Sequence, residues 1–299
     1  MDILRISDLH KSFGSKKVLK GLSMTVPEGS IFGFIGKNGA GKTTSMKAAL
    51  GLLEWDKGEI TILGERVEFG KAKTNRHIGY LPDVPEFYSF MTAREYLRFC
   101  GELCKMESGD IKKRSDELLS LVGLSGEKHR IKGYSRGMKQ RLGIAQALLG
   151  RPRLLICDEP SSALDPVGRR EILDILSSLK GETTVLFSTH ILSDVERICT
   201  DIAFLEDGVI KAAGKLSDIK GKYRKNEYTV ETASNEALSV LLESFKALKR
   251  TGDRTASLVE GETSIYDVLR FVGERRIPVI RAELSEPTLE NVFMEVIEK

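Results

Sequence analysis

Apolar residues fall along the chain in two rhythms. Short continuous runs, Ile31 to Ile35, Leu154 to Cys157 and Val185 to Phe187, are too brief for a helix core and predict buried strands. Ile78 to Leu81 reads the same way, and the stretch from Ile3 to Val26 is strand-rich before a turn at Pro27-Glu28-Gly29. The second rhythm is helical. Ile172, Ile175, Leu176 and Leu179 form one stripe, and Leu118, Leu119 and Val122 line another helix. Thr44 to Leu53 predicts a helix with Gly51 near its end, and Thr92 to Glu95 forms a T-x-x-E capping box before an apolar run ending near Cys104. Asp207-Gly208, between Phe204-Leu205 and Val209-Ile210, predicts a hairpin turn. Strand-like and helix-like segments alternate to about Leu205, which predicts a three-layer α/β domain. Between Thr92 and Leu149 helices take over, so a helical insert over about 84–150 is expected.

Composition narrows the picture modestly. With 299 residues the chain is long enough for two domains, and a net charge of +3 with 30% charged residues gives no support for nucleic-acid binding. No apolar run reaches the length of a bilayer span, and MDILRISDLH lacks a secretion signal, so the cytosol is the expected compartment. The four cysteines, Cys100, Cys104, Cys157 and Cys199, form no disulfide-like framework. Cys100 and Cys104 share a helix face, but no further ligands complete a metal site, so apolar packing is expected of them.

Residues 36–43 read GKNGAGKT and fit G-x-x-x-x-G-K-[ST], between a predicted strand and a predicted helix. Gly36, Gly39 and Gly41 let the backbone turn and aim its N–H groups at phosphate oxygens. Lys42 adds a point charge, Thr43 offers a hydroxyl to a bound Mg²⁺, and the helix start points its positive end at the anion. Asn38, Ala40 and Thr44 complete the expected phosphate-binding stretch. The second half of the site is expected after the Leu154 strand, where LLICDEP places Asp158 to coordinate Mg²⁺ and Glu159 to polarise water. His190, following the Val185 to Ser188 strand, should project at the same sheet edge.

These motifs stand in a telling order. Tyr134-Ser135-Arg136-Gly137-Met138-Lys139-Gln140 precedes LLICDEP, which is followed by Ser162 to Asp165 (S-A-L-D) and then by His190. From about residue 2 to about residue 215 the chain resembles the ATP-binding-cassette (ABC) ATPases, and most resembles the ATPase subunits of bacterial exporters. The resemblance implies a P-loop cassette, ATP and Mg²⁺ as ligands, catalytic roles for Glu159 and His190, and Phe13 as the aromatic that stacks on adenine. It also implies a head-to-tail dimer, of two copies or with a related cassette, in which Ser135 and Gly137 of one subunit touch the nucleotide held by the other's P-loop. A separate membrane permease would receive the work, leaving this chain peripheral at the inner face of the membrane. Phe87, Tyr88 and Phe90 would either form a small satellite core or line the groove for a permease helix. The alternative is a soluble ABC protein acting on DNA or ribosomes. A single cassette and the lack of a long heptad insertion speak against it.

Two positions depart from the family pattern. Arg136 replaces the first of two signature glycines, with Met138 where glutamine is usual, and Asp83 follows Pro82 where the family has glutamine. A carboxylate close to a γ-phosphate would be repelled by about 4 kcal/mol at 4 Å and an effective dielectric of 20, so Asp83 is expected to act through Mg²⁺ or water, or to stand back.

The cassette is expected to span 1–219 and a second domain 220–299, joined by a polar, basic linker at 221–226. Beyond the linker, strands at Tyr228 to Glu231, Thr255 to Val259 and Pro278 to Leu284 alternate with helices at Ala237 to Phe245 and Ile265 to Val272, and a last helix covers Thr288 to Ile297. This predicts a small α+β domain of split βαβ type. It carries no catalytic cluster, and dimer support or regulation is its expected role.

Overall fold

The computed structural model describes residues 1–223, 227–259, 261, 263–285 and 287–297. Of the predicted linker, Arg224, Lys225 and Asn226 lie outside the described residues. The chain forms two compact units, one built on Met1–Ser217 and one on Asp218–Glu295.

The first unit opens with β1 (Asp2–Phe13) and β2 (Lys16–Pro27), which pair antiparallel, and β3 (Ile31–Ile35), followed by α1 (Lys42–Ala49). Next come β4 (Lys57–Ile62), β5 (Glu65–Arg66) and β6 (Ile78–Leu81), and then the helices α2 (Ala93–Leu103), α3 (Ser108–Leu121) and α4 (Arg136–Leu148). The remainder alternates: β7 (Leu154–Cys157), α5 (Pro166–Ser178), β8 (Thr184–Thr189), α6 (Leu192–Ile198), β9 (Asp201–Glu206) and β10 (Val209–Lys215), after which α7 (Leu216–Lys222) begins in this unit and belongs mostly to the second.

Two sheets result. One has the order β2-β1-β4-β5, and the other β10-β9-β3-β8-β7-β6, with β9, β3, β8, β7 and β6 parallel. Their burial patterns explain the sequence rhythms. In β2, Leu22, Met24 and Val26 are buried while Ser23 and Thr25 are exposed, as befits a strand with one wet face. Every residue of β3, β7 and β8 is buried, which is why these strands read as unbroken apolar or hydroxyl-bearing runs. Leu4, Ile6, Leu22 and Met24 of the first sheet pack with Phe32, Phe34, Ile156 and Leu186 of the second and with Met46 of α1 in one core. Phe34 is fully buried, and its truncation to alanine should cost about 3–5 kcal/mol.

The predicted elements are largely present, with shifted ends. The helix expected over 44–53 covers Lys42–Ala49, because it starts directly on the phosphate-loop sequence. The Leu52 N–H bonds the Lys47 carbonyl and the Gly51 N–H bonds that of Ala48, a Schellman closure that leaves Leu52 and Leu53 outside. The Thr92 capping box forms as expected: the Thr92 hydroxyl accepts from the Glu95 N–H and the Glu95 carboxylate from the Thr92 N–H. Asp207 and Gly208 both take positive φ, 47° and 77°, matching a hairpin turn that follows the twist of the strands. Cys104 departs from the expected apolar packing: it is exposed near the end of α2, whereas Cys100 is half-buried and its thiol is pushed up by burial. Among the described residues no three His, Cys, Asp or Glu side chains gather as a metal cage, and no helix is long and apolar enough to cross a membrane.

The second unit contains β11 (Glu227–Thr232), α8 (Asn235–Ser244), β12 (Leu248–Arg250), β13 (Thr255–Val259), α9 (Ile265–Arg275), β14 (Val279–Leu284) and α10 (Leu289–Ile297). Its sheet runs β12-β13-β11-β14, antiparallel throughout, the split arrangement expected. Val230, Leu238, Leu241, Leu258 and Val268 form its core. The three-residue β12 is the added strand; only Leu248 in it is buried, so no apolar alternation announces it.

Candidate active site

Parallel neighbours β3, β8, β7 and β6 end at one edge of their sheet, so the loops that follow them converge there. β3 delivers the glycine-rich loop, β6 delivers Asp83, β7 delivers Asp158 and Glu159, and β8 delivers Ser188 and His190. They surround a cavity of ≈ 340 Å³ lined by Asn38, Gly39, Gly41, Lys42, Thr43 and Thr44 together with Asp83, Glu159, Ser162 and His190.

The loop is held by fit as well as by conformation. A Cβ at residue 36 would lie 2.5 Å from the Leu205 carbonyl oxygen, and one at residue 41 would lie 2.7 Å from Leu19 Cδ2 at a φ of +113°. Both positions therefore require glycine. Ala40 packs beside Gly36, its Cβ 3.3 Å from where a residue-36 Cβ would stand. Lys42 is buried; its Nζ donates to the Gly36 carbonyl at 2.6 Å and pairs with Glu159 Oε1 at 3.0 Å.

Asp158, 3% exposed, has each oxygen bonded by a hydroxyl: Thr43 Oγ1 donates to Oδ2 and Ser188 Oγ to Oδ1, both at 2.7 Å. Ser188 also accepts the Glu159 N–H at 2.9 Å, so one hydroxyl fixes both acids. Glu159 adopts φ 47°, a left-handed conformation that costs a non-glycine residue about 1–3 kcal/mol and that directs its carboxylate to Lys42 on one side and to His190 Nδ1, 3.0 Å away, on the other. Asp83 lies nearby with its carboxyl raised above the ordinary range by burial and by the charges of Asp158 and Glu159, while Arg136, 3.6 Å away, opposes the shift. Tyr80 of β6 is pushed up to about 12, first by burial and then by Asp158, and stays a neutral hydroxyl.

The cavity thus gathers nine of the expected site residues together with Ser162, and Asp158 reaches it through Thr43. Phe13 is half-exposed at the end of β1 with Lys11 Nζ 5.1 Å from its ring centre, and does not line the cavity. Ser135 and Gly137 do not line it either. They begin α4, where the exposed Ser135 caps the helix by accepting the Met138 N–H. Ser188, which no motif marks, bonds Asp158 and the Glu159 N–H, its sequence signal being its place beside Thr189 at a strand end, and Ser162, the first residue of the S-A-L-D segment, lines the cavity.

Comparison with known proteins agrees with this geometry. Residues 19–162 match the ABC transporter model, and residues 214–297 match the C-terminal domain of DrrA1-3-like ATP-binding proteins. The ABC transporter ATP-binding protein YxlF of Bacillus subtilis is 38% identical over 99% of both chains. The chain belongs to the ABC transporter ATPases. It is a nucleotide-binding, ATP-hydrolysing subunit of that family. Other relatives of this ABC ATPase include the bacitracin transport ATP-binding protein BcrA of Bacillus licheniformis, 35% identical over 99% of this chain and 97% of the relative, and the linearmycin resistance ATP-binding protein LnrL of Bacillus subtilis, 32% identical over 98% of each. A solved ATP-binding subunit of an ABC transporter superposes with a TM-score of 0.66 at 33% identity, covering 74% of this chain and 93% of that one. The ADP conformation of the cassette MJ1267 gives 0.66 at 25% identity, covering 73% and 92%.

Proposed function

We propose that this ABC ATPase powers export through a separate permease, and that it works as a head-to-tail pair closing on two ATP molecules, formed by two copies or with a related cassette. One observation carries the reading: Lys42, Thr43, Asp158, Glu159 and His190 form one network joined through Ser188, while Ser135 and Gly137 at the start of the signature helix α4 do not line that cavity. The relatives named for bacitracin transport and linearmycin resistance support export of antibiotic-like compounds.

In this account the loop N–H groups and Lys42 bind the β- and γ-phosphates. Thr43 and Asp158, whose oxygens are 2.7 Å apart, would hold Mg²⁺, and the buried carboxylate with only two hydroxyl donors suits a cation. When bound, that ion neutralises phosphate charge. Mg²⁺ keeps few protein ligands, so the nucleotide's phosphates would supply others. Glu159, held off its own backbone preference and aligned by His190, takes the proton of the attacking water. Phe13 stacks on adenine at the exposed rim. Tyr88 and Phe90, 51% and 61% exposed beside Phe99 and Tyr96, form the docking surface for the permease, which leaves the subunit at the inner face of the membrane.

Glu159→Gln should retain ATP binding while kcat falls by about 10²–10⁴-fold. Normal turnover would remove Glu159 as the base. For the transport reading, cells expressing the chain with its permease should survive a peptide antibiotic that kills cells carrying the Glu159→Gln variant; equal survival would contradict export. Unchanged ATPase activity and Mg²⁺ dependence in Asp83→Gln would remove Asp83 from the mechanism.

A further inference from the structure

The two positions at which this chain departs from the cassette pattern meet in space. Asp83 follows β6, Arg136 begins α4, and Arg136 Nη2 lies 3.6 Å from Asp83 Oδ1. That oxygen is buried and accepts no hydrogen bond, so the guanidinium is the ion-pair partner set against it. One turn further along α4, the fully buried Gln140 donates Nε2 to the Asp83 main-chain oxygen at 2.7 Å. Residues 136 and 140 share a helix face, so α4 grips residue 83 by its carboxylate and its carbonyl together. Helix stability does not account for the arginine, because the first turn of a helix disfavours a cation. Asp83 itself faces the cavity of Lys42, Glu159 and His190, where a third carboxylate joins Asp158 and Glu159 in a space suited to a polyanion.

We infer that Arg136 is a positioning residue for the chain's own nucleotide cavity: it holds and neutralises Asp83 so that the γ-phosphate end of the site tolerates an acid where glutamine is usual. The inference rests on the nucleotide-cavity reading above and is independent of dimer formation or export. It makes the two departures one compensated change, with the start of α4 tied to the cavity of the same chain.

The test is a double-mutant cycle read by calorimetric binding of a non-hydrolysable ATP analogue to the full chain. Arg136→Gln should weaken binding by about two- to fivefold, the range of a half-exposed ion pair, and by less at 1 M salt. In the Asp83→Asn background the same substitution should change affinity by less than about 1.5-fold, and Arg136→Lys should recover most of the loss. Equal losses in both backgrounds, or a loss insensitive to salt, would overturn the inference. Failure of the unsubstituted chain to bind the analogue would instead overturn the nucleotide-cavity reading beneath it.

Discussion

Two helices of this molecule begin at glycine-containing motifs, the phosphate loop and the signature, and the glycines at the two starts have different reasons to exist. At α1, Gly36 and Gly41 are demanded by the chain itself, because a side chain would strike the Leu205 carbonyl at 2.5 Å or Leu19 at 2.7 Å. At α4, a Cβ on Gly137 would meet no atom closer than 4.0 Å, and its φ is not left-handed. Glycine inside a helix costs about 1 kcal/mol against alanine, so the fold bears that cost with no steric return of its own. The surroundings differ in the same sense. Lys42 at the start of α1 is buried between the Glu159 carboxylate and loop carbonyls, whereas Ser135 at the start of α4 is exposed and caps its own helix. The start of α1 is held by contacts within the chain; in the proposed head-to-tail pair, the exposed start of α4 is the surface that the other subunit's nucleotide approaches.

The comparison can be broken from the α1 side with the largest effect. Lys42→Ala removes a buried cation from Glu159 and from the phosphates, and nucleotide affinity should fall by about 3 kcal/mol, roughly a hundredfold, in a binding titration. Ser188→Ala is expected to act less strongly. It strips Asp158 Oδ1 and the Glu159 N–H of their shared hydroxyl, which should cost about 1–3 kcal/mol in denaturant unfolding and misplace both acids. Ser135→Ala is the mildest of the three. It should cost about 1 kcal/mol of stability as a lost N-cap and leave analogue binding by the isolated chain unchanged, in contrast to both α1-side variants. A Ser135→Ala variant that loses nucleotide binding as Lys42→Ala does would erase the distinction between the two helix starts.

Much of this contrast was legible from residue order. The apolar run of β3 leading into GKNGAGKT, and that of β7 leading into Asp158-Glu159, place both acids opposite the phosphate loop because parallel strands share an edge. The capping box at Thr92 and the Asp207-Gly208 turn were readable because they depend on neighbours within four residues. What could not be read is interaction across the chain. Ser188 sits 30 residues from Asp158 and has no motif of its own, and the pairing of Asp83 with Arg136 joins residues that sequence analysis treats as separate anomalies. Short or mostly polar strands also escaped notice. In β4 (KGEITI) only Ile60 and Ile62 are buried, and in β12 only Leu248, too few positions to mark a period of two. Phe13 shows the reverse: the family resemblance assigns it a stacking role, yet within the chain it is half-exposed under Lys11 and does not line the cavity beside α1.

The central claim is that the cavity beside α1 binds nucleotide alone and that Ser135 and Gly137 complete it from another subunit. Light scattering of the Glu159→Gln chain with and without ATP, compared with the same chain also carrying Gly137→Asp, tests it directly. The account predicts an ATP-dependent dimer for the first and a monomer that still binds ATP for the second. A Gly137→Asp chain that dimerises normally, or one that stays monomeric because it no longer binds ATP, would contradict it.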